Sequence, residues 1–349
     1  MDDRRRPLLG DARRERLVDP VDRLQLTRLR LLPLAVPAAE LAADGAEVVA
    51  RGPSGERTIA ITDWIQGVFT NALADDEMAA LTGEHGAYVD DAFGAAHRAH
   101  ASVVGVPEVL GRRAAGRLMA REVAALSRLL EEPERPFVAI LGGAKISGKI
   151  DTLKNLLPRL DVLLLGGGMA NTFLAARGAD LGKSLVEEDR LDVAREILDE
   201  AARRGVKVVL PEDLVVTTSL DPAGDGRQVA AGKVPADQMA VDVGSATRER
   251  FAREVGRAAT LFWNGPLGVF ETPPFDQGTR AVADALASCR GFTVVGGGET
   301  VAAVHQAGVA DRIGHVSTGG GASLELLAGK ELPGVAVLRK DQGESGRGG

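Results

Sequence analysis

The sequence predicts an α/β protein built on a doubly wound, mostly parallel sheet. Short apolar runs alternate with helical patterns from residue 137 onward, and glycines cluster at the ends of those runs. The 349 residues are enough for about two domains. With 45% hydrophobic residues, a sizeable core forms without metals or disulfides.

Composition excludes several function classes. Lys plus Arg total 42 against 49 Asp plus Glu, a formal charge of −7, which disfavours a nucleic-acid partner. Aromatic residues at 3% supply no stacking platform for bases. A small phosphorylated ligand needs only a local basic patch and remains open. The single Cys289 rules out an internal disulfide and a Cys-based zinc site, and five histidines leave little room for a His-rich one. Residues 1–6 are basic but no apolar run follows, and the apolar stretch 24–36 is broken by Arg28, Arg30 and Pro33. The reading is therefore no signal peptide, no membrane span and a cytoplasmic location. The 43 glycines have no three-residue period and are read where they cluster.

Along the chain, 1–27 is weakly patterned. A helix broken at Pro33 or Pro37 is expected over 28–44, a strand over 47–50 after Gly45, and a polar turn over 51–57. Residues 58–83 read as mostly helical, with Asp75 and Asp76 at a helix start, 88–90 as a strand end, and 97–105 as loop and turn. Leu118, Met119, Val123, Leu126, Leu129 and Leu130 recur at helical spacing within 117–132, and Pro133 and Pro136 stop that helix. That stop is the expected boundary between domains 1–132 and 133–321. Beyond it, strands are expected at 137–141, 162–165, 206–210, 260–263 and 293–295. Helices are expected at 149–157, 169–176, 191–204, 279–288, 300–307 and 323–327, and 339–349 is an unpatterned tail.

The chemistry gathers at the glycines. Gly142-Gly143-Ala144-Lys145, Gly166-Gly167-Gly168, Gly296-Gly297-Gly298-Glu299-Thr300 and Ser317-Thr318-Gly319-Gly320-Gly321 all follow strand-like runs. Ligands of open α/β sheets bind outside the C-terminal strand edges, where glycine lets backbone approach a phosphate and the next helix N-terminus attracts an anion. Several such clusters suggest a nucleotide; tight strand-to-helix turns are the alternative. Residues 143–149 fit G-x-x-x-x-G-K, but Ile150 replaces the hydroxyl residue that holds magnesium in a P-loop. No G-x-G-x-x-G follows a strand either. Lys145 and Lys149 are spaced to face one phosphate site, where a cation offsets charge on a transferring phosphoryl group. Asn264 offers an uncharged polar contact after a strand, and Glu271 a carboxylate for a ribose hydroxyl. Glu299 is the acidic candidate for magnesium, or simply a carboxylate at a helix N-terminus. Between Asp90 and His100, Arg98 with His97 and His100 offers a grip for a carboxylate or phosphate. Asp90 and Asp91 alternatively lock those cations in place.

Together these segments resemble phosphoglycerate kinases: YVDDAFGAAHRAHASVVGV (88–106), ERPFVAILGGAKISGKI (134–150), LLLGGGMANTFL (163–174), GKSLVEED (182–189), LFWNGPLGVFE (261–271), VVGGGETVAAV (294–304) and HVSTGGGASLELLAGKELPGVAVL (315–338). The resemblance implies a two-lobed kinase with Rossmann-like parallel sheets flanked by helices. It implies 3-phosphoglycerate in the first lobe, ATP or ADP with Mg2+ in the second, and 322–338 returning to the first. By that likeness Lys149 stabilises the transferring phosphoryl group and Lys145 holds nucleotide phosphates. Gly143, Gly167, Gly168, Gly297, Gly298, Asn264, Glu271 and Thr300 touch nucleotide, Glu299 the metal, and His97 and Arg98 the acceptor. Thr27-Arg28-Leu29-Arg30 resembles the family's T-R-I-R, which gives Arg28 a catalytic role. The family's D-F-N-x-P, H-L-G-R-P and L-L-E-N-L-R-F segments have no counterpart, and Glu299 stands where the family has Asp. Three functions remain open: a phosphoglycerate kinase, a kinase for another small acidic acceptor, and a nucleotide-binding paralogue with a protein partner or self-association over the shortened lobe.

Overall fold

The computed structural model describes residues 24–25, 47–52, 55–60, 87–110, 112–220 and 226–339. Among them two compact units separate: one holds the described residues up to Met119 and those from Glu331 onward, the other Ala120–Lys330.

In the first unit, β1 (Leu24–Gln25), β2 (Glu47–Gly52) and β3 (Gly55–Ala60) form an antiparallel sheet in that order. The expected strand at 47–50 is present and runs on to Gly52, but 55–57 are strand rather than turn and 58–60 strand rather than helix. Val48 and Val49 lie in register with Ile59 and Thr58. The helices expected over 28–44 and 61–83, and the tail after Arg339, lie outside the described residues. β4 (Tyr88–Asp90) pairs in parallel with β5 (Arg113–Ala115). Within the loop and turn expected over 97–105, Ala101–Gly105 forms a π-type turn, continued by α1 (Val106–Leu110). The Asp91 carboxylate accepts N–H bonds from Leu118 (2.6 Å) and Met119 (3.0 Å), capping α2 (Arg117–Leu130). A further helix, Pro333–Arg339, takes in the first residue of the expected tail; its Gly334 N–H donates to Ala96 O at 2.9 Å.

The second unit is organised by six parallel strands: β6 (Phe137–Leu141), β7 (Val162–Leu165), β8 (Lys207–Val209), β12 (Thr260–Asn264), β13 (Phe292–Gly296) and β14 (His315–Val316). Their order, β14-β13-β12-β6-β7-β8, is that of a doubly wound sheet whose direction of growth reverses between β6 and β12. Every residue of β6, β7 and β12 is buried, which is why these strands read as unbroken apolar runs. Between the strands run α3 (Ile150–Leu156), α4 (Gly167–Ala176), α5 (Leu191–Arg203), α6 (Ser245–Val255), α7 (Gln277–Ala287), α8 (Gly298–Gln306) and, after β14, α9 (Gly321–Leu327). One sheet face packs Val138, Ile140, Leu164, Leu261, Trp263 and Val295 against Phe251, Val255, Val282, Leu286 and Val304 of α6, α7 and α8.

A second, antiparallel sheet of β9 (Asp213–Thr217), β10 (Arg227–Ala230) and β11 (Met239–Val243), ordered β10-β9-β11, lies outside the sequence expectation. β11 carries a bulge between Ala240 and Asp242.

Candidate nucleotide-binding site

The reversal point between β6 and β12 is laced by backbone. Gly142 N–H donates to Asn264 O (2.9 Å), Gly143 N–H to Pro266 O (2.7 Å), Gly167 N–H to Leu267 O (3.1 Å) and Met169 N–H to Gly143 O (3.0 Å). Chains this close leave no room for side chains. A Cβ on Gly167, at φ +64°, would sit 2.7 Å from Gly143 O, and one on Gly265, at φ +96°, 2.3 Å from Gly142 O.

Lys149 closes this knot. Its Nζ donates to Gly142 O at 2.6 Å and to Asn264 O at 3.2 Å. Burial pushes the amine down to about 8, with the Glu299 carboxylate pulling partly the other way. The amine is therefore cationic at neutral pH and held by two carbonyls rather than by a carboxylate.

Beside it opens a cavity of about 260 Å³. Gly143, Ala144, Gly167 and Gly168 line it with backbone; Leu185, Leu214, Val241, Leu267 and Val269 supply apolar walls; Glu271 and Glu299, both exposed, stand among its lining residues. Leu185 is 48% exposed, an apolar side chain turned toward this opening. Narrow apolar walls with a few polar groups suit a small planar ligand. α8 presents its opening turn, Gly298, Glu299 and Thr300, ahead of its first regular bond, Val301 N–H to Gly297 O at 2.9 Å. Those opening N–H groups favour an anion.

A scan against family models matches residues 70–330 to the phosphoglycerate kinase model. The chain belongs to the phosphoglycerate kinase family. It is 55% identical over 263 residues to a phosphoglycerate kinase of Thermomicrobium roseum, covering 75% of this chain and 67% of that protein. It is 56% identical over 266 residues to one of Thermus thermophilus, covering 76% and 68%. The phosphoglycerate kinase structure from Coxiella burnetii aligns with TM-score 0.72 at 44% identity, over 76% of this chain and 67% of that one. The structure from Pyrococcus horikoshii aligns with TM-score 0.65 at 35% identity, covering 72% and 64%.

Within this phosphoglycerate kinase fold the expected residues fall into separate groups. Gly143, Gly167, Gly168, Glu271 and Glu299 line the same cavity, and the Lys149 amine lies next to Gly143, 3.2 Å from where a Cβ on that residue would sit. Lys145 is exposed, on a loop gripped by Glu187, whose carboxylate accepts the Ile146 and Ser147 N–H groups. Asn264 and Thr300 are buried and already engaged. Asn264 Nδ2 donates to Gly296 O (2.8 Å), and Thr300 Oγ1 accepts the Gly265 N–H (2.6 Å). They tie β12 to β13 and α8. Gly297, at φ +90°, caps α8, where a Cβ would lie 2.7 Å from Asn264 Nδ2; Gly298 opens the helix into free space. His97 and Arg98 belong to the first unit, where exposed Arg98 points its Nε at His97 Nε2 at 3.4 Å. Nearby, Asp90 accepts the Ala92 N–H and Asp91 caps α2. Arg28 lies outside the described residues.

For magnesium, the described residues contain no group of three or more His, Cys, Asp or Glu able to hold a metal. Mg2+ is commonly held by one or two carboxylates together with substrate phosphates, and the exposed Glu299 carboxylate lining the cavity fits that role.

Sequence reasoning missed Asp242, Leu185, Leu214 and Glu187. Asp242 lines the cavity at 3% exposure. Its signal was an acid at the end of the apolar run 239–243, hidden because β9 and β11 themselves were not read.

Proposed function

We propose that this chain catalyses reversible phosphoryl transfer between 1,3-bisphosphoglycerate with ADP and 3-phosphoglycerate with ATP, in the cytoplasm. An oxygen of the ADP β-phosphate forms a bond to phosphorus, the bond from phosphorus to the acyl oxygen breaks, and the electron pair leaves on the carboxylate. The observation that carries this reading is the Lys149 amine, cationic and fixed on two strand-end carbonyls next to Gly143 of the glycine-lined cavity. A preorganised cation there stabilises charge on the phosphoryl group in flight without reorganising during the reaction.

The other roles follow chemical type. The walls at Leu185, Val241 and Leu267 take the base, Glu271 a ribose hydroxyl, and Lys145 with the opening turn of α8 the phosphates. Glu299 holds Mg2+, which supplies further charge neutralisation on the phosphates when bound. His97 and Arg98 contact 3-phosphoglycerate. Family membership supports this substrate pair over another acidic acceptor or an inactive paralogue. No helix among the described residues is long and apolar enough to cross a membrane.

The test is ATP consumption by the full chain with magnesium, with and without 3-phosphoglycerate, against Lys149→Met. Acceptor-dependent turnover that disappears in the variant supports the reading. A folded protein with no acceptor-dependent turnover overturns it.

A further inference from the structure

We propose that Asp242 is a positioning residue for the nucleotide cavity, its carboxylate tying β11 to the start of α7, the two elements to which the 266–271 wall segment is fastened. This rests on the cavity being the nucleotide site.

Three observations build the clamp. First, the β11 bulge breaks side-chain alternation, so that Ala240, Val241, Asp242 and Val243 all line the cavity. Second, the Asp242 carboxylate is satisfied by backbone: Oδ1 accepts the Val243 N–H and Oδ2 the Gly278 N–H, each at 2.8 Å. Gly278 is the second residue of α7, so the carboxylate also complements that helix start. Third, two glycines press on the same oxygen. A Cβ on Gly268 would lie 2.4 Å from Asp242 Oδ1, and one on Gly278 2.3 Å away. The wall segment is fastened on either side of Gly268, by Leu267 N–H to Thr279 Oγ1 (3.0 Å) and Val269 N–H to Val241 O (2.8 Å). Asp242 sits at the centre of that joint and Glu271 at its end.

The joint also titrates. Burial pushes the Asp242 carboxyl up to about 7, the two backbone N–H bonds and Arg248 of α6 oppose this, and Asp276, just before α7, adds to it. Asp276 is itself partnered by Arg280, and Glu271 and Glu299 are the other charges lining the cavity. With both oxygens accepting, the clamp is set in the ionised form. Protonation takes away acceptor capacity as pH falls through about 7.

The experiment compares full-length wild type with Asp242→Asn and Asp242→Ala. The readouts are Mg-ADP dissociation constants by calorimetry across pH 6 to 8.5, KM for each substrate, and thermal melting. The Asn variant can set an amide donor against the Gly278 N–H, whereas Ala removes the clamp without adding a donor. Leaving a buried N–H unpaired predicts a roughly tenfold weaker ADP affinity in both variants, with KM for 3-phosphoglycerate unchanged. The ratio of variant to wild-type affinity should close toward one as pH falls; titration of the nucleotide's own phosphate is common to all three proteins and cancels. Wild-type ADP affinity in the variants, or an equal loss toward both substrates at every pH, overturns the clamp. Absent turnover with ADP binding intact defeats the transfer reading alone. A wild type that binds no ADP overturns both.

Discussion

Lys149 and Asn264 are 115 positions apart in sequence, yet the Lys149 amine donates to the Asn264 carbonyl at 3.2 Å. The contact crosses the reversal point of the sheet and fixes a charge at the tips of β6 and β12. Replacing Lys149 with Met removes that charge while keeping the stem. Turnover should fall by about 10²–10³, with Mg-ADP affinity changing far less. In the wild type, kcat should decline as pH rises through about 8, where the amine loses its proton. Between there and the ordinary lysine range the unfolded chain binds the proton that the folded chain has released, so stability rises with pH across that window. A flat alkaline limb would contradict the assignment.

Glu299 raises the Lys149 pKa by its charge. In Glu299→Gln the alkaline limb should therefore move to lower pH. The Mg2+ concentration for half-maximal rate should rise as well, because a neutral amide binds magnesium poorly. If both stay fixed, Glu299 only complements the α8 dipole.

Gly265 holds φ +96°, and a Cβ there would lie 2.4 Å from Lys149 Nζ. Gly265→Ala should cost about 1–3 kcal/mol of stability through backbone strain, and turnover should drop as the amine is displaced. Gly148→Ala is the comparison. It has nothing within 4 Å of its added Cβ, and its stability should change by less than about 0.5 kcal/mol in a denaturant melt.

Glu122 of α2 is fully buried and accepts bonds from His315 Nε2 (2.8 Å), Ser317 Oγ (2.8 Å), Thr318 N–H (2.6 Å) and Thr318 Oγ1 (2.8 Å). Burial pushes its carboxyl up, but the bonds from His315, Thr318 and Ser317 outweigh it and hold it below the usual range. The stability this contributes is present above the unfolded carboxylate value and is lost as pH falls through the lower folded value. Glu122→Gln should lose about 1–3 kcal/mol at pH 7 in urea melts, and the gap from wild type should narrow below pH 4. A gap independent of pH would contradict an ionised Glu122.

Residues 137–141 and 162–165 announced their strands because both faces of those strands are covered, which demands unbroken apolar runs. The antiparallel β9-β10-β11 sheet was not legible. β10 is a largely exposed edge spelled RQVA, and the β11 bulge spoils its alternation. Helices α4, α8 and α9 each begin two residues ahead of the sequence expectation, at Gly167, Gly298 and Gly321. Glycine's poor helix propensity argues against these starts. At α4 the helix is set by tertiary bonds instead, from Gly167 N–H to Leu267 O and from Met169 N–H to Gly143 O. Lysines and glycines of the site could be read because their types signal phosphate chemistry. Asp242, Leu185 and Glu187 act through neighbours distant in sequence, and no local pattern marks them.

The lacing at Gly142, Gly166, Gly167 and Gly265 bears on how this site can adapt. Added methyls there would land 2.2, 2.3, 2.7 and 2.3 Å from the nearest neighbouring atoms. Of these, Gly167 lines the cavity, and a ligand gripped there is gripped by atoms that every amino acid shares, so substitution at this point offers no graded adjustment. Retuning for another nucleotide, or escape from an inhibitor lodged in the cavity, has to pass through the rim side chains Leu185, Glu271 and Glu299. An inhibitor that contacts only the glycine backbone leaves the protein few mutational routes to resistance.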